Sequence, residues 1–226
     1  MNNYSISCRY LVGQSSTFMS HYNEIAGKRV QRIEALSDGV FSIAMTFLVF
    51  NLKDPVSGVV TSDKALLMAL QSILPNLLAF FLSFMTLGIF WTGHSTQFNY
   101  IEKSDRNLNW ISVFFLMFAS LLPFTTAVLS SHITNQVSVG LYWLNILALG
   151  IMLLIHWNYA IGHNLVSLPD EAKQRVHKAI NSRIYMAQSL YALGAILCFI
   201  NTYLSIFVII AIQFNYAFAI FTRKTS

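Results

Sequence analysis

Hydrophobic residues in this chain are gathered into long stretches that carry no charge. Four stretches contain no Lys, Arg, Asp or Glu, and they cover residues 39–52, 65–101, 107–169 and 184–222. A bilayer core about 30 Å thick needs about 20 apolar helical residues for each crossing. The third and fourth stretches are long enough for two crossings each, because polar residues interrupt them near 130–136 and at Asn201. The pattern therefore predicts an all-α membrane protein.

The first two stretches predict one helix each. Residues 65–101 fit one long helix with Pro75 near one end. Residues 39–52 are too few to span alone, so their helix must begin near Ile33 and carry Glu34 and Asp38 with it. The prediction is six transmembrane helices, near residues 33–52, 68–94, 108–130, 137–160, 184–201 and 204–222.

The basic residues are divided unevenly between the two sides of this arrangement. Twelve of the 14 Lys and Arg residues fall on the side of the termini, and only Lys53 and Lys64 fall on the other. Cytoplasmic loops carry an excess of Lys and Arg, so both termini are expected in the cytoplasm, with the chain multi-pass in the cell (plasma) membrane. Five helices would move Arg223 and Lys224 outside, which is permissible but fits this rule less well.

Outside the helices the chain offers little room for a soluble domain. Residues 1–31 are polar and lack the apolar region of a signal peptide, so they are expected to form a cytoplasmic N-terminal segment. Residues 32–224 then form the six-helix membrane domain. In the loop near residues 168–175, a proline followed by acids and then bases predicts a short surface helix.

Composition excludes several classes of protein. Hydrophobic residues make up 55% of the chain and charged residues only 10%, too few to cover a water-soluble surface. The net charge of +5 could indicate nucleic acid binding, but the placement of the cations favours membrane topology and no nucleic acid partner. Two cysteines, Cys8 and Cys198, exclude a disulfide scaffold or a Cys-rich zinc module.

The first predicted helix carries an acidic residue, Asp38, one to two turns from its start. An aspartate near the bilayer centre costs about 2.5–3.5 kcal/mol, and less toward the interface, so it needs a partner. Arg32 lies six residues away, about 120° round the helix, and is poorly placed. Asp38 and Ser37 are therefore expected to hydrogen-bond at the end of the second helix, with Trp91, Thr92 or His94. The alternative is a frayed interfacial turn that the charged residues merely decorate.

The other half of the first helix presents one uncharged face. Ile43, Thr46 and Phe50 follow helical spacing, and Phe47 borders them. A lone threonine in such a place commonly bonds to the carbonyl of the preceding turn, which is the simpler interpretation. A functional role needs several copies of the helix around an axis. Rings of hydroxyls would then contact a partly dehydrated cation, and apolar rings would close the path by dewetting.

Two motifs resemble a known family. The run from Arg32 to Asp38, Arg-Ile-Glu-Ala-Leu-Ser-Asp, resembles the Arg-x-x-x-Phe-Ser-Asp signature of the transmembrane protein 175 potassium channel family, with Leu36 in place of Phe. The sequence Trp-Thr-Gly-His at residues 91–94 is similar to the family's Trp/His element. With length and topology included, the resemblance covers about residues 28–224.

The resemblance implies a potassium-selective cation channel rather than an enzyme. No Thr-Val-Gly-Tyr-Gly filter occurs in the chain, so the first helix of each subunit would line the pore of a homotetramer. Ile43 would form the constriction, Thr46 the selectivity layer and Phe50 a further apolar ring. The permeant ion is K+, with no cofactor and no protein-bound metal. The motif network would support the pore helix, and its members are Arg32, Ser37, Asp38, Trp91, Thr92 and His94.

A proton-coupled small secondary transporter is the main alternative function. Asp38 could be its coupling site, with Pro75 and Asn76 interrupting a helix nearby. The chain shows no internal repeat, which counts against this alternative.

Two further alternatives have less support. In a haem cytochrome the histidines would have to pair at one depth, whereas His94 and His132 are expected at opposite ends, and His156 and His163 on one helix end. An intramembrane hydrolase would need a nucleophile and a base, and neither His-Glu-x-x-His nor Gly-x-Ser-x-Gly is present.

Overall fold

The computed structural model describes residues 29–52 and 62–218. Of the predicted N-terminal segment 1–31, only the last three residues fall within this range. The described residues form seven α-helices: α1 (Val30–Phe47), α2 (Asp63–Ser72), α3 (Leu74–Phe98), α4 (Arg106–Ser131), α5 (Gln136–Gly162), α6 (Asp170–Ile196) and α7 (Thr202–Phe218). Short 3₁₀ helices follow α1 (Leu48–Asn51) and α6 (Leu197–Phe199). The prediction of a helical fold is therefore correct.

Four helices are long and apolar enough to cross a membrane. They are α1 with its 3₁₀ turn, α3, α4 and α5. α7 is apolar but shorter, and α6 begins in a charged segment. The predicted count of six crossings thus depends on α6 and α7 and remains a prediction.

The region predicted as one helix over residues 68–94 is divided in two. α2 ends at Ser72 and α3 begins at Leu74, with Pro75 in the first turn of α3. A proline has no backbone N–H and restricts the residue before it, so it fits the first turn of a helix and not its interior. The spanning helix therefore begins and ends later than predicted, at Leu74 and Phe98.

The expected short surface helix near residues 168–175 is instead the start of a long one. α6 continues without a break from Asp170 to Ile196. Residues 170–183 contain no Gly or Pro and are rich in good helix formers, so the change from polar to apolar at Ile184 does not interrupt the backbone. The predicted start of a helix at residue 184 is a boundary in polarity only.

Three chain segments meet at one end of the helical bundle. The α3–α4 and α5–α6 connections pair there through an antiparallel bridge between Ile101 and Val166. Val30 at the start of α1 belongs to the same buried apolar cluster. This end also carries basic residues from these segments, Arg29, Arg32, Lys103, Arg106 and Lys173. It is called the cation-rich end below.

The core holds α1 against α3 and α4. The Phe115 ring of α4 lies 5.8 Å from the Phe41 ring of α1 and 6.5 Å from the Phe90 ring of α3, centroid to centroid. Farther from the cation-rich end, the Tyr142 hydroxyl of α5 lies 2.9 Å from Thr86 Oγ1 of α3. Buried hydroxyl contacts of this kind hold apolar helices together where the hydrophobic effect is weak.

α6 and α7 form a tight antiparallel pair. The position that a Cβ atom would take on Gly194 lies 2.9 Å from Cγ1 of Ile209, closer than real side chains approach. Ser205 of α7 donates a hydrogen bond to the Gly194 carbonyl at 2.7 Å. A glycine is therefore required at this position for α7 to lie where it does.

Candidate functional site

The first helix has one buried face and one bare face. The buried positions recur every three or four residues, at Val30, Ile33, Ser37, Phe41 and Ala44, and continue at Leu48 in the 3₁₀ turn. This spacing is the signature of one apolar stripe on a helix. The stripe packs against α3 and α4, so the opposite face of α1 has no partner within the described part of the chain.

The three predicted pore residues all lie on the bare face. Ile43 is 56% exposed, Phe50 is 75% exposed, and Thr46 between them is also exposed. Large apolar side chains on one unpartnered face indicate a surface that another molecule covers.

Phe50 occupies a somewhat different position from the one that a continuous α-helix would give. The α-helix ends at Phe47, and residues 48–51 form the 3₁₀ turn. Because a 3₁₀ helix has three residues per turn, Phe50 lies directly above Phe47. The two rings are 5.9 Å apart, centroid to centroid. The bare face therefore ends in two neighbouring phenylalanines, Phe47 and Phe50, rather than in Phe50 alone.

The Thr46 side chain makes the backbone contact that the simpler interpretation expects. Its Oγ1 donates a hydrogen bond to the Ile43 carbonyl at 2.8 Å. A hydroxyl has one hydrogen to donate and two lone pairs with which to accept. Because the hydrogen is directed at the backbone, the lone pairs remain available on the exposed side. The self-bonded threonine can therefore still contact a cation.

The far end of α1 is fixed by two asparagines. Asn51 Nδ2 donates to the Pro123 carbonyl of α4 at 3.1 Å, and Asn76 Nδ2 of α3 donates to the Asn51 carbonyl at 3.2 Å. These bonds connect the 3₁₀ turn to both helices that support α1. No pattern in the sequence singles out Asn51, since a single asparagine at a helix end usually serves as a local cap.

At the cation-rich end the structure brings together four of the six motif residues. Trp91 Nε1 donates to Asp38 Oδ1 at 2.8 Å, and Ser37 Oγ lies 3.0 Å from His94 Nδ1. Ser37 and His94 are buried, whereas Asp38 and Trp91 are exposed. α1 is thus hydrogen-bonded to α3 through two adjacent residues.

Arg32 and Thr92 do not take part in these contacts. Within the described residues no hydrogen bond or ion pair joins exposed Arg32 to Asp38. Thr92 Oγ1 donates to the Gly88 carbonyl of its own helix at 2.8 Å. The motif therefore acts here through an indole and an imidazole rather than through an Arg–Asp pair.

A second buried histidine extends the contact and was missed by sequence reasoning. The His156 ring of α5 lies 4.8 Å from the His94 ring, centroid to centroid, in an edge-to-face arrangement. His156 Nδ1 is 2.6 Å from Gln97 Oε1, and Gln97 Nε2 donates to the Leu153 carbonyl at 3.0 Å. A signal was available, because His94 and His156 lie four and six residues before the ends of their helices.

The histidine pair does not have the geometry of a haem site. Two axial ligands must face each other across a porphyrin, whereas these rings contact each other directly. Among the residues described, no group of three or more His, Cys, Asp or Glu side chains could hold a metal ion. The pair is a packed polar contact between α3 and α5.

The fold and site together define a helical membrane protein whose first helix is supported on one face and bare on the other. The family model described as endosomal/lysosomal potassium channel TMEM175 matches residues 32–123. A potassium channel of Chamaesiphon minutus is 31% identical over 188 residues, which cover 81% of this chain and 92% of that protein.

Structural comparison points to the same family. The crystal structure of a lysosomal potassium-selective channel TMEM175 homologue from Chamaesiphon minutus superposes with a TM-score of 0.73 at 28% identity, covering 84% of this chain and 97% of that one. The endosomal/lysosomal proton channel TMEM175 of Danio rerio is 38% identical over 98 residues, which are 41% of this chain and 19% of that protein.

The chain belongs to the TMEM175 family of ion channels. The resemblance drawn from the two motifs is thereby confirmed. The family is one of membrane channels, which is not a class of enzymes.

The Trp91–Asp38 bond can be tested by a double-mutant cycle. We expect Asp38→Ala and Trp91→Phe to show a coupling of about 1.5 kcal/mol, the lower end of the range for a hydrogen bond to a charged acceptor. Denaturation in mixed micelles, followed by circular dichroism, would measure it.

The matched control for this cycle replaces Trp91→Phe with Trp143→Phe. The Trp143 indole nitrogen is buried and has no hydrogen-bond partner among the described residues. Its coupling to Asp38→Ala should be close to zero. A coupling energy between Trp91 and Asp38 as small as that of the control would mean that this hydrogen bond does not stabilise the packing of α1.

Proposed function

We propose that this chain is a potassium-selective cation channel that conducts ions passively along a pore lined by α1. The observation that carries the proposal is the bare face of α1, which presents Ile43, Thr46 and the Phe47–Phe50 pair opposite a fully packed stripe. One helix cannot enclose a pore, so several copies of this face must surround a common axis. Cyclic symmetry presents the same face of each copy to that axis.

The assembly that we propose is a homotetramer of six-helix subunits. The chain carries one copy of the Arg-to-Asp motif, so each subunit contributes one pore helix. The apolar half of α6 and α7 supply the last two crossings, and their close approach at Gly194 supports an antiparallel hairpin. The cation-rich end then faces the cytoplasm of a cell whose plasma membrane holds the channel, with both termini on that side.

Each of three layers along the bare face has its own role in ion conduction. A ring of Ile43 side chains closes the path by excluding water, and the phenylalanine pair forms a second apolar layer. Thr46 hydroxyls between them offer lone pairs to an ion that has lost part of its hydration shell. No acidic residue occurs between Gly39 and Leu52, so ion contact there comes from hydroxyls, carbonyls and pore width.

Gating in this proposal is a rotation or splaying of α1 that moves Ile43 away from the axis. The hydrogen bonds at its two ends, Trp91 to Asp38 and Asn51 to Pro123, set the rotation of the helix about its own axis. They are support for the pore helix and not part of the ion path. In the alternative, a proton-coupled transporter, Asp38 would instead exchange protons during each cycle.

Ion flux from proteoliposomes is the direct test. Vesicles loaded with potassium or with sodium are placed in a choline medium with no proton gradient, and ion-selective electrodes record the release. We expect rapid potassium release that exceeds sodium release and does not change when a pH gradient is imposed. Flux that saturates and requires a proton gradient would instead establish the transporter and make Asp38 a coupling site.

Polar substitution of the constriction should open the pore. Ile43→Asn is expected to raise basal potassium flux about tenfold or more, because an amide ring hydrates the narrowest layer. Ile151→Asn is the matched control, since Ile151 is also exposed and lies in the middle of α5. Basal flux in Ile43→Asn equal to that of the control would rule out this position as the seal.

Removal of the Thr46 hydroxyl should reduce discrimination between ions. Thr46→Ala is expected to lower the potassium-to-sodium permeability ratio severalfold, measured as a shift in reversal potential under bi-ionic conditions. Ser120→Ala is the control, because Ser120 of α4 is exposed and donates to the Met117 carbonyl at 2.8 Å, the same type of bond. An unchanged ratio in Thr46→Ala would show that selectivity arises elsewhere.

A further inference from the structure

A groove that contains Arg183 runs along one side of α1. Its volume is about 510 Å³, and α1 and α3 form its two long walls. Arg183 of α6 and Tyr216 of α7 close it on the third side. Small-molecule sites in proteins commonly have a volume of this order. The groove lies beside the buried stripe of α1 and is distinct from the bare face.

The polarity of the groove changes along its length. Thr92 and Arg183 lie toward the cation-rich end, and Thr92 is six residues, or about 9 Å, from the end of α3. Phe84 and Met85 line the groove about 12 Å deeper. A cation at headgroup depth followed by an apolar wall matches the layout of a phospholipid.

Arg183 is available to an anionic ligand. Its guanidinium carbon lies 5.8 Å from the centre of the Tyr216 ring, and it has no carboxylate partner among the described residues. The nearby carboxylate of Asp38 is already bonded to Trp91. An arginine fork binds a phosphate through two parallel hydrogen bonds, and a tyrosine face beneath it limits its motion.

From this arrangement we propose that the groove is a binding site for an anionic phospholipid of the leaflet at the cation-rich end. The phosphate contacts Arg183, and one acyl chain lies along Phe84, Met85 and Met45. A zwitterionic lipid fits less well, because its choline cation sits beside the same phosphate and is repelled by Arg183. The negative net charge of the headgroup is thus the basis of selection.

Occupancy of the groove bears on the pore helix. The acyl chain touches Ser42 and Met45 of α1, and the headgroup region touches Trp91, which holds Asp38. Bound lipid therefore stabilises one orientation of α1. This consequence rests on the proposed channel function, whereas lipid binding itself does not.

Quenching of tryptophan fluorescence by brominated lipids tests the site without measuring flux. The full chain is reconstituted in neutral vesicles with increasing fractions of brominated phosphatidylglycerol or brominated phosphatidylcholine. The Trp91 contribution is the part of the quenching that Trp91→Phe removes. We expect the anionic lipid to reach half-quenching of Trp91 at roughly one tenth of the mole fraction that the neutral lipid needs.

Variants of one helix separate the site from general surface charge. Arg183→Ala should abolish the preference for the anionic lipid, and Arg183→Lys should keep part of it. Arg175→Ala removes an exposed arginine from the same helix, outside the groove, and should leave the preference unchanged. Equal quenching by the two lipids in the wild type, or an unchanged preference in Arg183→Ala, would overturn the proposal.

A second variant covers the case in which Arg183→Ala does not fold. A Cβ atom on Gly88 would lie 3.9 Å from Met45 Cε, so Gly88→Leu fills the apolar part of the groove without a backbone clash. It should weaken lipid binding several-fold, and unchanged binding would count against the site.

Two further outcomes identify other occupants and overturn the proposal. Displacement of the lipid by millimolar inorganic phosphate would show a simple anion site. Protection of Trp91 from both lipids, together with disulfide cross-linking of Ser42→Cys between subunits, would show that a second copy of the chain fills the groove. If lipid selection is present but flux is absent, the binding site stands and the proposed channel function fails.

Discussion

The packing of one helical stripe around Phe115 determines how the rest of this molecule is arranged. Phe115 of α4 packs against Phe41 of α1, Phe90 of α3 and the tilted ring of His94, whose centroid lies 4.4 Å away. Because these side chains occupy one face of α1, its other face has nothing left to contact within the described chain. Protein interiors are packed as densely as organic crystals, so α1 cannot turn about its own axis in small steps. The bare face is thus a product of the core.

Polar bonds at both ends add direction to this apolar packing. Dispersion and apolar burial are not directional, so a stripe of leucine-like side chains alone tolerates sliding by a turn. Hydrogen bonds have strict geometry, and those from Trp91 to Asp38 and from Asn51 to the Pro123 carbonyl fix the height of α1 as well as its rotation. Charged and amide residues are tolerated in this otherwise apolar helix because they supply the directional hydrogen bonds that apolar packing lacks.

Sequence patterns predicted the features that depend on residue polarity. They failed to predict where the backbone breaks and which residues far apart in the sequence come into contact. Uncharged stretches located the long apolar helices. The cost of an aspartate in a membrane-spanning helix directed attention to the end of the second helix, where Trp91 donates to Asp38. The break at Pro75 and the continuity of α6 were missed, because hydropathy does not record where a backbone can bend. The contact between His94 and His156 was also missed, since 62 positions separate them and only the packing of α3 beside α5 brings the rings together. The conducting roles of Ile43, Thr46 and Phe50 remain predictions.

The unbroken course of α6 connects its charged first half rigidly to its apolar second half. Its 27 residues form a rod about 40 Å long, with a charged first half and an apolar second half beside α7. A helix without a hinge tilts as a rigid body, so one degree of tilt about Asp170 displaces Ile196 by about 0.7 Å. A protein or an ion that binds the charged half and tilts α6 would therefore displace the Gly194 contact with α7, because no hinge lies between them.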